Sequence, residues 1–136
     1  MKMKKYIGFF LVMWCCAGGL AAEQKPDFIV PDIVVKPGQF IHIKLQNRSP
    51  VNVRVPGTIK EKIFLSIYIN NIKRAEYKLK YMDQKLFKPK GTILFRTNFR
   101  KQKGLRIKVE VNPLKIIPES NFLNNTLSKQ LDNTNR

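Results

Sequence analysis

Thiols are nearly missing from this chain. Its two cysteines are Cys15 and Cys16, its one tryptophan is Trp14, and its one histidine is His42. Both cysteines and the tryptophan stand in the first 22 residues, which read as a removable leader. The chain left after removal has no cysteine, so a disulfide is impossible and stability must come from packing. A single histidine without cysteine supplies neither a zinc ligand set nor the base a serine nucleophile needs. His42 is therefore read as a surface or rim residue, and catalysis and cofactors are not expected. Acidic residues are also scarce, nine against 26 lysines and arginines. Long apolar runs are absent: the longest, Ile7 to Cys16, is too short to span a bilayer comfortably.

The leader has the parts of an export signal. Lys2, Lys4 and Lys5 precede the apolar run, and Ala17, Gly18, Gly19, Leu20, Ala21 and Ala22 follow it. Cleavage after Ala21 puts Gly19 and Ala21 at the two recognition positions. Lipid modification at Cys15 or Cys16 fits poorly, because Trp14 and Cys15 are not the small residues that should precede such a cysteine. The expected layout is a signal peptide over 1–22, one domain over 23–132 and a polar tail over 133–136. The product would be periplasmic or secreted, with no transmembrane span once cleaved. The formal charge is +17; losing three lysines and no acid with the leader leaves +14. Such a surface gathers anions and speeds encounter with acidic partners, although a lysine-rich host proteome would give the same balance. Outside the cytoplasm the partners are proteins or anionic envelope components rather than nucleic acid.

What the chain has in quantity is alternation of period two. Strands are expected at 28–35, 39–46, 62–69, 72–79, 92–99, 105–111 and 125–131. Pro31 marks an edge or a bulge in the first. Lys36-Pro37-Gly38 and Pro89-Lys90-Gly91 are turns, and Asn70-Asn71 is a two-residue hairpin turn. Ile41, Ile43 and Leu45 form a core face, as do Ile63, Leu65, Ile67 and Ile69, and Leu105, Ile107, Val109 and Val111. The stretch 47–60 should cross between sheets, with Val51, Val53 and Val55 as a possible short edge strand. Residues 81–90 read as a basic loop. Seven short strands with no amphipathic helix argue an all-β, seven-stranded antiparallel sandwich of immunoglobulin-like type.

The order of motifs resembles the cell-adhesion-related domain found in bacteria (CARDB), an immunoglobulin-like or fibronectin-III-like sandwich. Asp27-Phe28-Ile29-Val30, Tyr68-Ile69-Asn70-Asn71 and Pro89-Lys90-Gly91 match its opening strand, central hairpin and later turn. The most specific block is Asn112-Pro113, Ile117, Glu119-Ser120-Asn121 and Asn124-Asn125. The resemblance covers about 25–132. It implies a non-enzymatic binding or structural module of the cell envelope, mediating protein or surface interaction.

Two groups of residues invite a functional reading. Glu119, Asn121, Asn124 and Asn125 offer oxygen ligands, but one carboxylate in a basic protein is a weak calcium site. A bulged turn held by Asn and Ser side chains is preferred. Lys73, Arg74, Lys85, Lys88, Arg100, Lys101 and Lys103 are candidate contacts to a partner or polyanion. Tyr77, Tyr81, Phe87 and Phe99 are interleaved with them, which suits stacking or docking at an anionic surface. Alternation alone would equally turn those aromatics into the core.

Overall fold

The computed structural model describes residues 24–35 and 40–131. The leader, the 36–38 turn and the tail 133–136 lie outside the described residues. Seven antiparallel strands form two sheets. They are β1 (Phe28–Val34), β2 (Phe40–Asn47), β3 (Ile63–Ile69), β4 (Ile72–Lys78), β5 (Thr92–Arg100), β6 (Arg106–Val111) and β7 (Thr126–Gln130). One sheet has the order β1-β2-β5, the other β4-β3-β6-β7. The stretch after β2 does cross from the first sheet to the second.

The pleat explains the core. Ile41, Ile43 and Leu45 on β2, and Ile107, Val109 and Val111 on β6, are fully buried. Alternate residues on each strand face outward, so each sheet contributes one apolar face. Three aromatic rings close one end. Phe28 packs edge-on to Phe64 at 5.3 Å and to Phe87 at 5.9 Å between ring centroids. Such edge-on geometry adds roughly 0.5–1.5 kcal/mol per pair beyond area burial.

Pro31 sits where the register of β1 against β2 shifts, between Ile29 and Asp32. A residue without an N–H fits such a bulge. Lys129 of β7 then reaches β1, its Nζ donating to the Ile33 carbonyl at 2.9 Å and to Asp32 Oδ1 at 3.2 Å. Asn70 and Asn71 have φ of 50° and 68° between the paired residues Ile69 and Ile72. Positive φ at both central positions is what a type I′ hairpin requires.

Three expectations need correction. In β3 the register against β4 shifts between Ile63 and Leu65, so Phe64 is buried along with Leu65 and Ile67, while Ile63 and Ile69 are half-buried. A bulge breaks the simple alternation there. Val51, Val53 and Val55 are half-buried but form no strand; Val53 is tied by its N–H to the Phe87 carbonyl at 2.7 Å. The stretch 81–90 is not a bare basic loop. Short 3-10 turns at Leu79–Tyr81 and Gln84–Phe87 bury Leu79, Met82, Leu86 and Phe87 as a plug. Asp83 caps the second turn by accepting the Lys85 N–H at 3.0 Å.

Candidate functional site

The two ends of the sandwich differ in chemistry. At one end the β3–β4 turn meets the start of β6. The Asn70 N–H donates to the Arg106 carbonyl at 2.8 Å, and the Arg106 N–H returns to Asn70 Oδ1 at 2.9 Å. The β5–β6 connection closes beside them, with Gly104 at φ 67°. Residues 69–75 and 98–108 therefore share this end. They carry seven basic residues and no acidic one.

Between the edges of β4 and β5 this end opens into a cavity of about 490 Å³. Ile69, Phe99 and Leu105 give it an apolar floor, and Arg74 and Arg100 stand at its sides with Asn98 and Gln102. The Arg100 guanidinium lies 4.4 Å from the centre of the Phe40 ring, and Arg96 lies 4.0 Å from the same ring. Stacking on an aromatic face orients a guanidinium without neutralising it. On the other sheet Lys108 and Lys73 approach Tyr68 at 4.4 and 5.8 Å. Each also meets a carboxylate: Lys73 meets Glu76 at 2.7 Å, and Lys108 meets Glu110 at 3.2 Å.

The expected basic contacts are thus divided by the fold. Lys73, Arg74, Arg100, Lys101 and Lys103 belong to the cavity end. Lys85 and Lys88 flank the 3-10 plug at the opposite end, where the Asn47 N–H meets the Gly91 carbonyl at 2.8 Å. The aromatics beside the cations also differ from those singled out by sequence. Phe87 is in the core, and Tyr77 packs edge-on to Phe95 at 4.8 Å. Tyr81 is exposed next to Lys80, at the plug end. Phe40 and Tyr68 are the rings that carry cations near the cavity. Strand pairing, not spacing, brings them there: Phe40 faces Arg100, and Tyr68 faces both Lys73 and Lys108.

The motif residues build the far end. Asn112 has φ of 52°, and its N–H donates to the Phe64 carbonyl at 2.7 Å. Asn112 Nδ2 reaches both the Ile117 carbonyl and Glu119 Oε2 at 2.7 Å. Asn125 Nδ2 donates to the Val111 carbonyl at 3.0 Å and also to Glu119 Oε2. Glu119 Oε1 accepts the Phe28 N–H at 2.7 Å. Burial, opposed by these three hydrogen bonds, holds the Glu119 carboxyl above the usual glutamate range. Asp27 beside it accepts from Asn124 at 2.8 Å and pairs with Arg48 at 3.2 Å. Asn121 Oδ1 accepts the Leu123 N–H at 2.8 Å, the Asx-turn role expected of it. Pro113 follows Asn112 into the turn. Among the described residues, the buried side-chain oxygens without a partner are Oδ1 of Asn124 and of Asn125.

Among the described residues, no group of three or more His, Cys, Asp or Glu side chains could hold a metal ion. Nor is any helix there long and apolar enough to cross a membrane.

No family model matches the sequence, and no curated protein matches it. Solved structures do. The crystal structure of the CARDB domain of the PF1109 protein from Pyrococcus furiosus, in complex with di-metal ions, superposes with a TM-score of 0.57 at 18% identity. The match covers 82% of this chain and 96% of that one. A solution NMR structure of the same domain gives a TM-score of 0.49, again at 18% identity, covering 81% and 96%. Two antiparallel sheets of three and four strands, matched over most of the chain to the crystal structure, give this protein the fold of a CARDB β-sandwich.

Proposed function

We infer that the chain is an exported, non-enzymatic binding module that docks on a protein or an anionic component of the bacterial cell envelope. The observation that carries this reading is the segregation of charge. Residues 69–75 and 98–108 carry seven basic residues and no acidic one at the end where Arg74 and Arg100 line an apolar-floored cavity, although Lys73 and Lys108 pair with Glu76 and Glu110, while the opposite end is closed by the Glu119 network. Export is supported by the leader pattern of residues 1–22. An adhesion-related role would agree with the fold. The di-metal ions of the archaeal domain are not carried over. Both Glu119 oxygens already accept N–H donors, and Asp27 is engaged by Arg48 and Asn124. A cation would have to displace them.

A second reading is a purely electrostatic binder of anionic envelope polymers or lipids, working through the basic hairpins. The clustering of Lys101, Lys103 and Arg106 beside Arg74 and Arg100 favours it. Salt separates the two. Residues 23–136 would be tested for retention on purified envelope across a salt gradient. Release by moderate salt means the charge does the binding, since exposed charges are screened over about 10 Å at 0.1 M. Retention in high salt means a specific partner held by apolar contact or strand pairing. No retention at all sinks the envelope reading.

A further inference from the structure

The end away from the cavity holds apolar side chains out in solvent. Leu114 and Leu123 are 62% and 95% exposed. They stand on neighbouring loops: Pro113, Lys115 and Phe122 line one small cavity, and the Lys115 ammonium lies 5.1 Å from the centre of the Phe122 ring. Pro113, Ile116 and Phe122 are half-buried and add apolar surface on the same loops. A lone exposed leucine is ordinary. These two are fixed in place. Leu114 sits inside a turn closed by the Lys115 N–H on the Asn112 carbonyl at 3.1 Å, with positive φ at both Asn112 and Lys115. The Leu123 N–H is held by Asn121 Oδ1 at 2.8 Å. Asn112 and Asn125, which bound the two loops, both donate to Glu119. The exposure therefore belongs to a built conformation, and little freedom is left to lose on docking.

Cations border the same loops, and the nearby carboxylates are withdrawn. Lys25 and Arg54 are exposed and line a cavity together with Ile117 and Pro118. Arg48 joins Asn124 through Asp27, and Lys90 Nζ donates to the Arg48 carbonyl at 2.6 Å, a neutral partner that leaves its charge in place. Asp27 and Glu119 are buried and already engaged. We propose that the 112–125 loops dock on an anionic phospholipid bilayer, with Leu114 and Leu123 entering the headgroup boundary and Lys25, Arg54, Lys90 and Lys115 meeting lipid phosphates. Apolar side chains that leave water, together with cations that meet head groups, hold a protein on an anionic membrane without spanning it. A soluble polyanion would use the cations and leave the leucines in water. This surface lies apart from the cavity and goes beyond the proposed function. Docking by it keeps the cavity end clear of the bilayer, because β5 alone runs nine residues, about 30 Å, between the two ends.

Residues 23–136 contain no tryptophan, so one introduced indole is an unambiguous probe. On vesicles of phosphatidylcholine and phosphatidylglycerol, Leu123→Trp should shift its emission to the blue and be quenched by brominated lipid. Gln102→Trp, at the cavity end, should do neither. Leu114→Ser with Leu123→Ser should weaken cosedimentation with these vesicles about tenfold or more. If that pair does not fold, Leu123→Ser takes its place, with a loss of about threefold or more. Lys25→Glu with Lys115→Glu should also cost about tenfold or more. Lys101→Glu with Lys103→Glu makes the same charge change beyond the screening length of about 8 Å at physiological salt, and should cost about twofold at most. No binding to the anionic vesicles, a blue shift of Gln102→Trp as large as that of Leu123→Trp, parental binding by the serine variants, or equal losses from the two glutamate pairs would overturn the proposal. So would equal binding to phosphatidylcholine alone, which would leave the cations without a part. Envelope retention without vesicle binding would remove this site and leave the proposed function standing; absence of both would remove the broader function as well.

Discussion

Glu119 Oε1 accepts the backbone N–H of Phe28 across 91 residues of sequence, at 2.7 Å. This bond ties the entry of the first strand to the loop before the last. The same carboxylate gathers Asn112 and Asn125, so one side chain joins three segments. Glu119→Ala should take an acceptor from three buried donors, leaving the Phe28 N–H with none while Asn112 and Asn125 keep the Ile117 and Val111 carbonyls, and cost about 3 kcal/mol. Urea unfolding measures it; a loss below about 0.5 kcal/mol would show that water replaces the carboxylate.

The same group makes stability depend on pH. Burial raises its pKa above the ordinary 4.5, so the folded protein holds this proton more tightly than the unfolded chain. Its contribution is fully present below 4.5 and is lost as pH rises through the raised value. Glu61 works the other way. Hydrogen bonds from Lys80 and Lys78 lower it to about 2, so its contribution is present above 4.5 and disappears as pH falls toward 2. Urea midpoints from about pH 3 to about pH 7 should therefore contain a falling limb above 4.5 that Glu119→Gln lacks. Parallel curves for the two proteins would contradict this.

Asn112 occupies a left-handed conformation and uses its side chain as well. Asn112→Gly keeps the backbone relaxed and loses only the hydrogen bonds. Asn112→Ala loses both, and should be less stable than the glycine variant by about 1 kcal/mol. Thermal melts of the pair decide it, the reverse order being the contrary result.

Gly91 has no room for a side chain. A Cβ there would lie 1.8 Å from the Lys85 carbonyl oxygen, a backbone atom of the 3-10 plug. Gly91→Ala should force the plug off the start of β5 and cost about 3 kcal/mol, with new protease cleavage within 79–90. A variant as stable as the parent, and as resistant, would refute that.

The hairpin turn offers a gain instead. With φ of 68°, Asn71 is at a position glycine adopts without strain. Asn71→Gly should be neutral or stabilise by about 0.5 kcal/mol, whereas Asn71→Val should destabilise by about 1–2 kcal/mol. Denaturation midpoints of the two variants should move apart in that order.

The sandwich was legible because alternation is a local signal. Ile41, Ile43 and Leu45 read as one buried face from three adjacent pleats, and the asparagine pair read as a turn from its tolerance of positive φ. Phe64 was hidden because a bulge changes phase without leaving a mark in composition. The plug at 79–87 was hidden because 3-10 turns are too short to show a period. The charged residues were visible, but not their separation: Lys85 and Arg100 are 15 positions apart in sequence and lie at opposite ends of the molecule because β5 runs the length between them. The cavity is lined by Arg74 of one sheet and Arg100 of the other, and no spacing encodes that.

The capped β1 edge has a consequence for stoichiometry. A sandwich with two uncovered flanks could stack strand to strand without limit, each copy both receiving and offering an edge. Here Pro31 and Lys129 retire the β1 edge of the three-stranded sheet, whose far edge is β5. Along that sheet a row of strands can end on β1, but it cannot be propagated through it.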